Sequence, residues 1–169
     1  MKHEAKSQLK KIIGDYDEKL AQSERVDAAN RAAHAAFPER FVALRTEIVA
    51  PALQEIAAML NERGHDASVR DQEESSSAAG GVRSASVSLR VIPKPFAKKA
   101  TPEANPVTIE ISFSANRAAR KVTVSSTNTM IGHGGRVGKR GEYEIDEVNA
   151  DVVANHVIQT LDEAFGGTK

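Results

Sequence analysis

The chain has no cysteine and no tryptophan. The first absence excludes disulfides, thiolate nucleophiles and cysteine-held metals. The second, with only five Phe and two Tyr, leaves few rings on which bases would stack. The core must therefore be built from Ala, Val, Ile and Leu. No stretch approaches the roughly 20 apolar residues of a membrane span, and the opening MKHEAKSQLKK lacks the apolar run of a secretory signal. A cytoplasmic protein without a membrane partner is the expectation. The 169 residues suit one well-buried domain better than two.

Net charge is also absent, but only in the sum. Residues 1–79 carry 11 basic against 14 acidic side chains, residues 80–141 carry 11 against 2, and residues 142–169 carry 1 against 7. The segments thus stand at −3, +9 and −6. A basic middle lies between two acidic flanks, and segment charge guides a search for partners better than the total does.

Residues 1–64 read as helical. Leu9, Ile13, Tyr16 and Leu20 recur at spacings of four, three and four, a one-faced stripe that thins into Ser23, Val26, Ala29, Ala33 and Ala36. Gly14 weakens its first turns. Phe37-Pro38 predicts a break, because a residue before proline is pushed out of the helical region. A second stripe follows at Phe41, Leu44, Ile48, Ala52, Ile56 and Leu60, with Pro51 expected to kink it or to mark a shift between two shorter helices. Gly64 is the expected stop. A helical hairpin is the simplest arrangement, and a continuous bent rod with dimer contacts is the alternative.

Residues 65–147 form the basic, β-rich part. Ala85, Val87, Leu89 and Val91 alternate with Ser84, Ser86, Ser88 and Arg90, and Val107, Ile109, Ile111 and Phe113 repeat the pattern. Val122 and Val124 mark another strand, while Tyr143 and Ile145 suggest an edge strand. Between the strands, Asp71–Gly81, Pro93–Pro102 and the glycine-rich Gly132–Gly141 are expected as loops. Residues 148–167 form a last helix capped by Asn149, with Val153, Val157, Leu161, Ala164 and Phe165 on its apolar face. The fold class is therefore α+β: an N-terminal helical hairpin, a four- or five-stranded antiparallel sheet, and a C-terminal helix packed on it, all within one domain spanning 1–169.

Two sets of residues are candidates for function. Arg136, Lys139 and Arg140, with His133, sit in or beside a flexible glycine-rich segment whose backbone N–H groups suit an anion. Arg90, Lys121 and Arg120 extend that charge over the predicted sheet. The phosphate-loop pattern fails here: His133 stands where its first glycine belongs, and Arg140 where a Ser or Thr must follow Lys139. A competing account is that the basic middle is neutralised by the chain's own acidic flanks. Glu110 is the acid expected opposite Arg90 or Lys121. The second set is Leu9, Ile13, Tyr16 and Leu20, a stripe that needs cover.

The five histidines fall at no metal-ligand spacing, and no cofactor pattern or catalytic constellation is evident. The sequence reading is a non-enzymatic protein-binding or adaptor module that self-associates through its helices, its partner another protein or a second copy. The alternatives are non-specific nucleic-acid or phosphate binding through the basic sheet, and an enzyme whose site is not visible in the sequence.

Overall fold

The computed structural model of the protein describes residues 3–76, 80–94, 96, 107–129 and 136–166. Contacts within the chain divide it into two compact units, Met1–Phe37 and Pro38–Lys169. Helix α1 spans His3–Leu44. It passes through Pro38, so the break expected there does not form. A proline inside a helix costs about 3 kcal/mol. Phe41, in the turn that follows, is only 1% exposed, and burying such a side chain returns a comparable amount.

A wide π-helical turn, Arg45–Val49, joins α1 to helix α2, Ala50–Glu62. The Ala50 N–H donates to the Arg45 carbonyl, five residues back. Pro51 explains the widening. It has no N–H to offer an α turn, and its ring crowds the carbonyl four residues before it. The wide turn leaves Pro51 in the first turn of α2, where no donor is required. Residues 3–62 are therefore helical without a connecting loop, and the joined helices stand where a hairpin was expected. Helix α2 ends as its sequence predicts. Gly64 takes φ +86°, the Gly64 N–H donates to the Asn61 carbonyl, and the His65 N–H donates to the Leu60 carbonyl. These are the two bonds of a Schellman cap.

The sheet contains β1 (Asp66–Gln72), β4 (Ser86–Ile92), β5 (Ile109–Asn116), β6 (Lys121–Asn128) and β7 (Arg136–Glu144). They lie in that order, each antiparallel to its neighbour. Two short strands, β2 (Ser75–Ser76) and β3 (Val82–Arg83), pair as a separate ribbon, β2 within the stretch expected as plain loop. Strand β7 also corrects an expectation. It begins at Arg136, so Lys139 and Arg140 are strand residues; pairing with β6 satisfies backbone groups that a loop would leave to water. His133 lies outside the described residues. A tight turn joins β5 to β6: the Arg120 N–H donates to the Arg117 carbonyl, and Arg120 takes φ +56°.

Alternation places Val87, Leu89 and Val91 of β4, Ile109, Ile111 and Phe113 of β5, and Val122 and Val124 of β6 on one buried face. Helix α2 lies over β1 and β4, and helix α3, Ala150–Gly166, lies over β5 beside α2. Val49, Leu53, Val153 and Val157 seal this side. The Asn149 side chain accepts from the Val152 N–H at 3.0 Å, the cap that the sequence predicts for α3. The opposite sheet face carries Ser, Thr, Arg and Glu. There Arg90 stands directly across from Glu110, and Lys121 from Glu144.

Candidate functional site

In the first unit every residue from 6 to 36 is exposed. Leu9, Ile12, Ile13, Tyr16, Leu20 and Val26 are 47–65% exposed. The spacing rule thus locates the four predicted stripe residues on one helix face, and Ile12 widens that face. An isolated helix in water draws little stability from propensity alone. This one carries apolar area with nothing over it in the first unit.

The second unit carries an apolar groove of about 650 Å³ between α2 and α3. Ile56, Met59 and Leu60 line one wall, and Val157, Ile158 and Leu161 the other. Met59 and Ile158 are each 62% exposed. Glu55, Glu62, Arg63 and Asp151 also line the groove, so its charged residues are mainly acidic. Sequence reading missed this groove. Its signal was present as excess width: Met59 and Ile158 sit beside the core-facing stripes of their helices and extend the apolar arc beyond what the sheet covers.

Of the basic candidates, Lys121, Lys139 and Arg140 are held by the chain's own acids. Lys121 pairs with Glu144 at 3.3 Å, Lys139 with Glu142 at 3.2 Å, and Arg117 with Glu74 at 2.5 Å. Arg140 makes two parallel bonds to Glu163 of α3, at 2.7 and 2.6 Å. The Lys139 contact, with help from Asn116, holds the Glu142 carboxyl below its ordinary pKa. The bond to Glu163 raises the guanidinium of Arg140 above its own. Exposed pairs of this kind contribute roughly 0–1 kcal/mol each to stability. Their larger effect is on the field, which they quench. Arg90 and Arg120 remain half-exposed, and Arg136 opens β7 opposite Asn128.

Arg140 reaches α3 because of a β-bulge. Gly141 pairs with Val124 while Lys139 pairs with Ser125, so Arg140 is the extra residue. Its Nε donates to the buried Ser126 hydroxyl at 2.7 Å. Beside it the Tyr143 hydroxyl meets His156 Nε2 at 2.6 Å. The Tyr143 ring leans over Gly141, where an added Cβ would lie 2.7 Å from a ring carbon. His156 is buried against Phe113 and Tyr143, and among the described residues its Nδ1 has no partner. Burial first, and the Arg140 charge second, push its pKa below the usual imidazole value. A cavity of about 370 Å³ opens on Arg140, Tyr143 and His156, with Asn155 and Gln159 at its edge. A neutral imidazole, a phenol and a compensated guanidinium give it hydrogen-bonding capacity and little net charge.

Arg45 illustrates the same economy of charge. It is buried in the wide turn, donates to the Gln72 carbonyl at 3.1 Å and pairs with Asp71 at 2.8 Å and with Glu73. It ties the helical layer to the end of β1. Among the described residues no acidic or histidine cluster is suited to a metal ion, and no helix is long and apolar enough to cross a membrane. Compared with family models, curated proteins and solved structures, the chain finds no match in any of the three.

Proposed function

We propose that this protein is a non-enzymatic interaction module that self-associates through the apolar stripe of its N-terminal helix. The observation that carries this reading is the exposure of Leu9, Ile12, Ile13, Tyr16 and Leu20 in a unit that buries no residue from 6 to 36. A stripe of that size favours contact with another apolar surface, because removing it from water returns about 25 cal/mol for each Å². The pairing of Lys121, Lys139 and Arg140 with acids favours a protein partner over a phosphate-rich polymer.

Light-scattering mass at low and high salt tests the reading. The wild type should exceed 18.2 kDa at both, because an apolar contact survives screening. Ile13→Asp combined with Tyr16→Asp should return the mass to that of one chain. A labelled mixed DNA/RNA pool is added in parallel. A salt-sensitive complex with it, abolished by Lys139→Gln with Arg140→Gln, would put nucleic acid in place of protein as the partner.

A further inference from the structure

We infer that the stripe of one copy docks in the groove between α2 and α3 of a second copy. The inference rests on the self-association proposed above and names the surface that receives the helix.

Three observations carry it. The first is length. Leu9 to Leu20 on the stripe, Ala52 to Arg63 on one groove wall and Ala150 to Leu161 on the other cover equal numbers of residues. Each is about 17 Å long at the rise of an α-helix, so a helix laid along the groove meets both walls over its whole apolar length. The second is chemistry. The groove is apolar on both walls, with Met59 and Ile158 exposed on it, and a helix laid in such a groove is a recurring recognition mode. The third is charge. At 3.6 residues per turn, Lys6 and Lys10 flank one side of the stripe together with Asp17 and Glu24, and Lys19 flanks the other. The groove presents Glu55, Glu62 and Asp151 against Arg63. Stripe margins of three lysines against two acids therefore meet groove margins of three acids against one arginine.

The same facts count against the stripe pairing with its own counterpart. It sustains only about two heptads, short of the three to four that a coiled coil needs, and like-charged lysine margins would then face one another. A stripe-to-groove contact is heterologous. Reciprocal exchange closes it as a pair, and one-way docking propagates it.

The experiment uses two full-length variants. Ile13→Asp with Tyr16→Asp spoils the stripe and leaves the groove intact. Met59→Lys with Ile158→Lys spoils the groove and leaves the stripe intact. All four positions are at least half exposed, and an unchanged thermal unfolding curve confirms that each variant is folded. Each alone should have a mass of 18.2 kDa. An equimolar mixture, at the highest concentration where each alone stays monomeric, should regain a larger mass, because each variant supplies the half that the other lacks. A groove variant that associates as well as the wild type overturns the inference and leaves self-association through the stripe standing. Two monomeric variants whose mixture stays monomeric also overturn it. A monomeric wild type removes both the inference and the reading beneath it.

Discussion

The helix of residues 6–36 and helix α3 are both one-faced, yet they end differently. Helix α3 buries Val153, His156, Val157, Thr160 and Ala164, while the N-terminal segment buries nothing. Periodicity identified the apolar face of each equally well. It carried no information on whether that face would be covered within the chain, because cover depends on a surface distant in sequence. The contrast separates two uses of one pattern, packing in α3 and exposure in the N-terminal helix.

The sharpest way to break that contrast is to damage one region and watch the other. Phe113→Ala should cost about 3–5 kcal/mol, as truncation of a fully buried aromatic does, read as a lower urea midpoint. Tyr16→Ala, at an exposed site, should move the same midpoint by no more than about 0.5 kcal/mol. Gly141→Ala should cost about 1–3 kcal/mol, because the new methyl must displace the Tyr143 ring. Loss of the Tyr143–His156 bond should show in the imidazole nuclear magnetic resonance shifts.

Acid should act on the second unit through His156. Its folded pKa is depressed, so the unfolded chain binds the proton more readily. Stability from this group is present above the ordinary histidine value of about 6.5 and is lost as pH falls from there toward the folded pKa. The melting temperature of the wild type should decline over that window, and His156→Gln should flatten the decline. In the first unit, Gly14→Ala should favour the N-terminal helix by up to about 1 kcal/mol, since an added Cβ there meets nothing within 4 Å. Far-ultraviolet ellipticity should strengthen without any shift in the unfolding of the second unit.

The α+β class, the antiparallel sheet, the Gly64 stop and the Asn149 cap were legible because each follows from a few adjacent residues. Alternation put Glu110 on the face of Arg90 and Lys121, and the register chooses Arg90, leaving Lys121 opposite Asn116 and Glu144. What escaped depends on registers between distant segments. The β7 pairing hid behind glycines that resemble a loop, and the bulge that turns Arg140 toward Glu163 leaves no local mark. Pro38 misled in a related way: its local preference is to end a helix, but α1 runs through it. Pro51 stands where one helix gives way to the next, one of the two outcomes expected of it. The stripe at Leu9–Leu20 was read correctly as a face, and its proposed partner groove went unseen because half of it comes from each of two helices far apart in the chain.

The wide turn at Arg45–Val49 also bears on how chain length can vary. It holds one residue more than an α turn, and one residue is about 100° of helical rotation. In unbroken α geometry, the buried Phe41 and Leu44 would lie nearly opposite the buried Leu53 and Ala57; the extra residue brings the two pairs to within about 70° of each other. A chain shorter by one residue inside 45–49 would therefore lose the widening and keep Leu53 against the sheet, but would set Pro51 inside an ordinary α turn. The same deletion inside 50–62 would swing the rest of α2 away from it. Evolutionary relatives that differ by a single residue in this layer should differ at that turn.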